Sequence, residues 1–246
     1  MPDLIDMHAA PPPANQGSPA PLCGKNETSP VSEISLPFLF NVSSRPLSRT
    51  RTIVFFILGS RIGLAFFCIY PFTNWLAGYR DYQHELFFAW ELNIPFMPEF
   101  IWLYLSMYVL FLLPPFFLPP KAMERLARAL IWATCIAGFI FLAFPARLGF
   151  PRIVPSDPLY RPIFEALFSI DRPYNLVPSL HVVYSAAIIL AIASQQIGRS
   201  ICILLFCWLI AIMASTLFIH QHHFLDVLSG LALALLMHCH VKERNV

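Results

Sequence analysis

Apolar runs close to twenty residues long recur through this chain, and no other feature limits its fold as tightly. A membrane-spanning helix needs about 20 mainly apolar residues, within a range of roughly 17–25. Six stretches reach or approach that length, at about 52–72, 100–118, 129–144, 181–194, 201–219 and 222–239. Hydrophobic residues make up 57% of the chain and charged residues 12%, whereas soluble domains carry about 45–50% and 25%. That balance excludes an ordinary soluble domain. The expectation is an all-α polytopic membrane protein with a six-helix transmembrane bundle. The net charge of +2 gives no reason to expect a nucleic-acid partner.

The chain divides into a proline-rich tail over residues 1–50, a membrane domain over 51–241 and a short tail over 242–246. The first tail, with its Ala10-Pro11-Pro12-Pro13-Ala14 run and its serine and asparagine content, cannot bury a core and is expected to be disordered. It has no basic segment, apolar core and cleavage site in sequence, so no cleavable signal is expected. Asn26 and Asn41 fit the weak glycosylation acceptor pattern. Arg61, inside the first run, either faces a site or snorkels to an interface. Residues 82–92 suit a short interfacial helix, with Trp90 and Tyr79 as anchors. Lys121, Arg125 and Arg128 read as a basic loop, and residues 145–178 as the longest internal loop. Cys68, Cys135, Cys202, Cys207 and Cys239 sit in or beside apolar runs and read as small apolar residues.

Positive charge sets the orientation. Arg45, Arg49, Arg51, Lys121, Arg125, Arg128, Arg199, Lys242 and Arg244 collect on one side, which the positive-inside rule makes cytoplasmic. Both termini are then cytoplasmic, in an inner or plasma membrane. The 145–178 loop faces outward with Arg147, Arg152, Arg161 and Arg172, beside two histidine segments. An anionic ligand would explain so many arginines on that side.

Those segments are Pro178-Ser179-Leu180-His181 and His222-His223-Phe224-Leu225-Asp226. Each stands at the mouth of an apolar run, where an ionisable residue is a functional candidate. His222 and Asp226 lie four apart, on one helical face. The carboxylate can fix the tautomer of the ring, leave the other nitrogen's lone pair free and make it a better nucleophile. His181 can act as general acid toward a leaving alkoxide. Ser179 and the free amides of its helix start form an anion site, and Pro178 suits that start. Arg147 and Arg152 can clamp phosphoryl oxygens in a fork geometry. Single interfacial histidines such as His220 or His223 more often serve as hydrogen-bonded anchors. His220, His223 and Asp226 lack the spacing of a zinc helix, so no metal or other cofactor is expected.

With these motifs in place, the chain resembles the membrane branch of the type 2 phosphatidic acid phosphatase superfamily. Pro178-Ser179-Leu180-His181 matches its second motif, and Ser215-Thr216 followed by His222 and Asp226 matches its third. The core motifs lie within 144–230. The resemblance implies the family's helical bundle, with His222 as the nucleophile of a phosphohistidine intermediate, His181 as the acid, Asp226 as orienting partner and Ser179 as phosphate ligand. Two departures stand out. Thr216 occupies the place of the third motif's arginine. The first motif is reduced to Phe144-Pro145-Ala146-Arg147 and Pro151-Arg152, with Arg172-Pro173 as a second candidate for its Arg-Pro pair. The phrase from Asp171 to His181 looks like a divergent branch that includes phosphotransferases of the inositol phosphorylceramide synthase type.

The expected function is hydrolysis of a lipid phosphate or diphosphate, with a lipid-linked phosphate substrate and membrane lipids as partners. A phosphotransferase passing a headgroup to an alcohol is the second reading. A non-enzymatic lipid binder or transporter is the third.

Overall fold

The computed structural model describes residues 48–243. The disordered-tail expectation for residues 1–47, Asn26, Asn41 and residues 244–246 lie outside the described residues. Among the described residues nine α-helices run in chain order: α1 Arg49–Ala77, α2 Ile101–Leu105, α3 Met107–Leu110, α4 Pro114–Phe117, α5 Pro120–Ala143, α6 Arg161–Ile170, α7 Leu180–Ala193, α8 Arg199–Phe218 and α9 Phe224–Glu243. The described residues hold no strand, only an isolated bridge between His84 and Ala146. Among the described residues four helices are long and apolar enough to cross a membrane: α1, α5, α8 and α9 over Phe224–Val241. These fit an integral membrane protein. The expected count of six such helices is not reached, for two physical reasons.

First, the run at 100–118 breaks into α2, α3 and α4. Pro114, Pro115, Pro119 and Pro120 lack amide donors and disrupt any continuous helix. The Ser106 hydroxyl also turns back onto the Leu103 carbonyl at 2.6 Å and accepts the Trp208 indole N–H at 2.8 Å. Such broken backbone suits membrane depth only where protein surrounds it, and Ile101, Tyr104, Met107 and Leu110 are buried. Second, α7 is only 14 residues long. Nearly all of it is buried, from Leu180 to Ile192, as expected for a helix apolar on every side. It packs against α5, α8 and α9.

Other boundaries shift as well. The expected basic loop at 121–128 forms the first turns of α5, started by Pro120, which is well suited to the first helical position. The loop at 145–178 contains α6, whose Phe164 is fully buried beside Ile101, Tyr104 and Ile219. The interfacial helix expected over 82–92 is only a 3-10 turn, Ala89–Asn93. Arg61 is exposed on α1 and faces away from the core. The five cysteines named above are free.

About half of α1 is exposed, and much of that surface is apolar, including Phe56, Leu64 and Phe67, which suits lipid rather than water. Its inner face lies along α5. The two helices meet where Gly138 faces Ile69: a Cβ at Gly138 would stand 2.3 Å from the Ile69 Cγ2. Small residues permit this kind of close helix approach. Gly138→Val is expected to cost ~1–3 kcal/mol by overpacking, read as a lower thermal midpoint in detergent. Gly63→Val, where an added Cβ meets nothing within 4 Å, should leave the midpoint near wild type.

Candidate active site

The turn between α8 and α9 builds the site. His220 takes a left-handed conformation, φ 57°, a region that non-glycine residues enter seldom and histidine more readily than most. The chain reverses there, and the amides of Gln221 and His222 both donate to the Thr216 carbonyl, at 3.0 and 3.1 Å. Thr216 thus holds the turn through its backbone. Its buried hydroxyl donates back to the Met213 carbonyl at 2.8 Å, so it supplies no substitute for the arginine that the resemblance expects at this place.

Asp226 lies in the first turn of α9 and is 1% exposed. Its Oδ2 accepts the His223 amide at 2.8 Å and the His222 Nδ1 at 3.2 Å. A carboxylate at a helix start caps amides and benefits from the helix dipole. Because an ionised carboxylate only accepts, the His222 proton sits on Nδ1. The lone pair of the neutral ring is then on Nε2.

The neighbouring His223 is the opposite case. Its Nε2 accepts the Gly149 amide at 3.0 Å, and its Nδ1 lies 3.2 Å from the Glu91 Oε2. An amide only donates and a carboxylate only accepts, so His223 is neutral with both nitrogens engaged. Phe87 and Phe150 stack on its faces, with centroids at 4.6 and 4.4 Å, and His220 stacks on the far side of Phe150 at 4.0 Å. His223 is an anchor, as expected. Glu91 is the residue that sequence reasoning missed. It is fully buried, and its carboxylate also accepts the amides of Phe88 at 2.8 Å and Phe224 at 2.7 Å. It ties the segment before α2 to the start of α9. One acidic residue inside an aromatic, apolar stretch was the available signal.

Ser179 caps α7, its hydroxyl accepting the Val182 amide at 3.4 Å. The Ser179 amide donates to the Asp226 carbonyl at 3.0 Å, which links the two histidine motifs directly. Gly230 allows this approach: a Cβ there would lie 2.7 Å from the Ser179 carbonyl oxygen. The Val177–Pro178 bond preceding Ser179 is cis. The Leu180 and His181 amides at the start of α7 have no partner among the described residues, as the first turn of a helix leaves them. His181 stacks on the Tyr104 ring at 3.8 Å, and its Nε2–H donates to the Tyr104 carbonyl at 2.9 Å. His222 lies close enough to influence both His181 and Asp171 electrostatically.

Of the arginines, Arg152 comes nearest to this cluster. It donates to the Phe168 carbonyl at 3.1 Å and to the Asp171 carbonyl, and its guanidinium lies over the Phe168 ring. It therefore caps the C-terminal end of α6. Its Nε is buried without a partner, so that donor is left open. Asp171, given no role from sequence, accepts the Tyr70 hydroxyl at 2.8 Å and the Asn74 amide at 3.2 Å. Burial raises its pKa, opposed by the Tyr70 hydrogen bond and the charges of His222 and Arg152. Arg147 pairs instead with Glu85 on an exposed surface, and Arg172 is exposed. The structure thus gathers His222, Asp226, Ser179 and His181, with Arg152 near, and leaves Arg147 and Arg172 at the edge.

A family model described as the PAP2 superfamily matches residues 83–240. No curated protein and no solved structure matches the chain.

Two outcomes are expected. Glu91→Ala leaves the His223 Nδ1–H and the Phe88 and Phe224 amides without their acceptor, and should cost ~1–3 kcal/mol for each donor that stays buried. Thermal unfolding in detergent would read it, with Glu91→Gln in between. Burial also lowers the pKa of His220 and His223. The unfolded chain therefore takes up protons that the folded chain refuses. This contribution to stability is full above ~6.5 and is lost as pH falls below it. The thermal midpoint should drop from pH 7 to 5, and His223→Gln should flatten the slope.

Proposed function

The chain belongs to the PAP2 superfamily, and on that premise we propose that it is a membrane enzyme hydrolysing a lipid phosphate or diphosphate through a phosphohistidine on His222. Membership points to phosphatase or phosphotransferase chemistry. The observation that carries the finer reading is the contrast between adjacent rings. Asp226 holds the His222 Nδ1 at 3.2 Å and leaves Nε2 open, whereas both His223 nitrogens are occupied.

In the proposed course, the His222 Nε2 lone pair attacks phosphorus and the bond to the leaving oxygen breaks. Asp226 stabilises the positive ring that results, as an orienting carboxylate does for an imidazolium. The open amides at the start of α7 and the open Nε donor of Arg152 receive the phosphoryl oxygens, where preorganised donors act most strongly on developing charge. His181 protonates the departing alkoxide. Its Nε2–H is committed to the Tyr104 carbonyl, so the transferable proton sits on Nδ1 and the acid is the imidazolium. Water then attacks the phosphohistidine, gives a proton back to His181 and releases phosphate, leaving His222 neutral. An alcohol in place of water makes the same intermediate a transferase.

We read the membrane arrangement as six crossings, with the broken 98–117 segment and the short α7 completing the four long helices. The site then faces outward, on the side away from the basic helix ends.

The test uses purified protein in detergent with EDTA and a panel of lipid phosphates and diphosphates. Wild type should release phosphate from at least one lipid. His222→Ala should lose at least ~10³-fold, in keeping with loss of a covalent nucleophile, while His223→Gln keeps most of the activity that its stability allows. Release that is equal in His222→Ala would sink the reading. A lipid product carrying the phosphate on an added alcohol, with no free phosphate, would select transfer over hydrolysis.

A further inference from the structure

The helix bundle has a second end, and its chemistry differs from that of the histidine site. The start of α5, the end of α7 and the end of α9 enclose a cavity of about 360 Å³, lined by Ala122, Arg125, Ala129, Ala191, Gln195 and His238 among others. Alanines at 122, 129, 187 and 191 create the space, since no larger side chain fills the gap between the helices. The cavity lies beside the last two turns of α7, from Ala187 to Gln195, whereas His181 opens its first. At 1.5 Å per residue these lining residues stand about 9–21 Å along the helix axis from His181.

Polar side chains enter the lining from three helices: Arg125 from α5, Ser194 and Gln195 from the end of α7, and His238 from α9. Arg125 is half-buried, and its guanidinium has no hydrogen-bond or ion-pair partner among the described residues. The His238 Nε2 lies 3.2 Å from the Ser194 hydroxyl, which also lines the cavity. Among the described residues no acidic side chain contributes to the wall. Lys121 and Arg128 flank Arg125 on α5, and Arg199 opens α8 at the same end. Glu124, beside Arg125, points outward and does not line the space.

We propose that this cavity is a second ligand site, which takes the phosphodiester headgroup and glycerol of an anionic phospholipid from the leaflet at that end. Three features select that ligand. The mouth lies where α5, α7 and α9 end, at headgroup depth for helices that cross the bilayer. Among the described residues the one charged side chain lining the cavity is that of Arg125, and basic pockets between membrane helices recognise anionic headgroups. The volume is near the lower limit of ligand pockets, about 300–1,000 Å³, so a headgroup fits while the acyl chains stay in the bilayer. Arg125 supplies a fork for two phosphate oxygens, and the His238–Ser194 pair faces the remaining polar groups.

The experiment titrates dioctanoyl phosphatidylglycerol into purified full-length protein in a neutral detergent and follows the thermal midpoint. Dioctanoyl phosphatidylcholine and inorganic phosphate serve as parallel probes. A ligand that binds only the folded state raises the midpoint with its concentration. Phosphatidylglycerol should raise it in wild type and equally in His222→Ala, and phosphatidylcholine should not. Arg125→Gln should require at least tenfold more lipid for the same shift. Ala191→Leu, at the half-exposed rim, should remove the shift by filling the cavity. If that variant fails to fold, Arg125→Gln decides. Three results would overturn the proposal: an equal shift with phosphatidylcholine, an unchanged titration in Arg125→Gln, or loss of the shift in His222→Ala, which would place the lipid at the other end. An equal shift with inorganic phosphate at the same concentration would also contradict it, making this a free-anion site.

Discussion

One carboxylate, Asp226, is the interaction on which the rest of the site depends. Its Oδ2 holds both the His222 ring and the His223 amide, while its backbone carbonyl takes the Ser179 amide. Two segments far apart in sequence, the start of α7 and the turn before α9, therefore meet at one residue in the first turn of α9. The helix start favours negative charge at that place, and burial removes competing water. The ring that Asp226 orients has its reactive nitrogen fixed by exclusion, because the other nitrogen is already donating.

Around this centre the chain uses helix ends rather than helix middles. α7 and α9 both begin at the site, and α6 ends beside it, capped by Arg152. Gly230 lets the start of α7 come against α9, and Gly149 lets its amide reach His223 beside the Phe87 ring. Glu91 closes the arrangement from the other side by binding His223 and the first amide of α9. A buried carboxylate is stable only when hydrogen bonds replace its lost hydration, and here three donors do so. The stack of His220, Phe150, His223 and Phe87 fixes the rings that are not reactive. The same side-chain type thus serves as anchor and as nucleophile, separated by one position in sequence.

Much of this was legible before the fold was known. The His222–Asp226 spacing foretold the pair, although His222 stands in the turn before α9 and not on a helix face, and the helix start at Ser179 followed from its position before an apolar run. Arg152 and Arg147 were not separable by sequence. Both lie in one proline-rich loop, and only the fold shows that Glu85 draws Arg147 outward while α6 holds Arg152 inward. α6 itself was hidden because its ten amphipathic residues lie in a stretch rich in proline and arginine, which reads as loop. The expected continuous span at 100–118 failed for a local reason: apolar composition does not reveal where prolines and Ser106 interrupt the backbone ladder. Glu91 and Asp171 escaped because their partners lie far away in sequence, and a lone carboxylate next to aromatic residues reads as an interfacial charge until its donors are known.

The central claim is chemical: His222 carries the phosphoryl group during turnover. Rapid quenching of the enzyme with a substrate lipid, followed by digestion and mass spectrometry under alkaline conditions, tests it most directly. The account predicts an acid-labile, base-stable phosphate on the peptide containing His222, on that ring and not on His223. Phosphate found on another residue, or steady turnover with no phosphorylated peptide at any quench time, would contradict it.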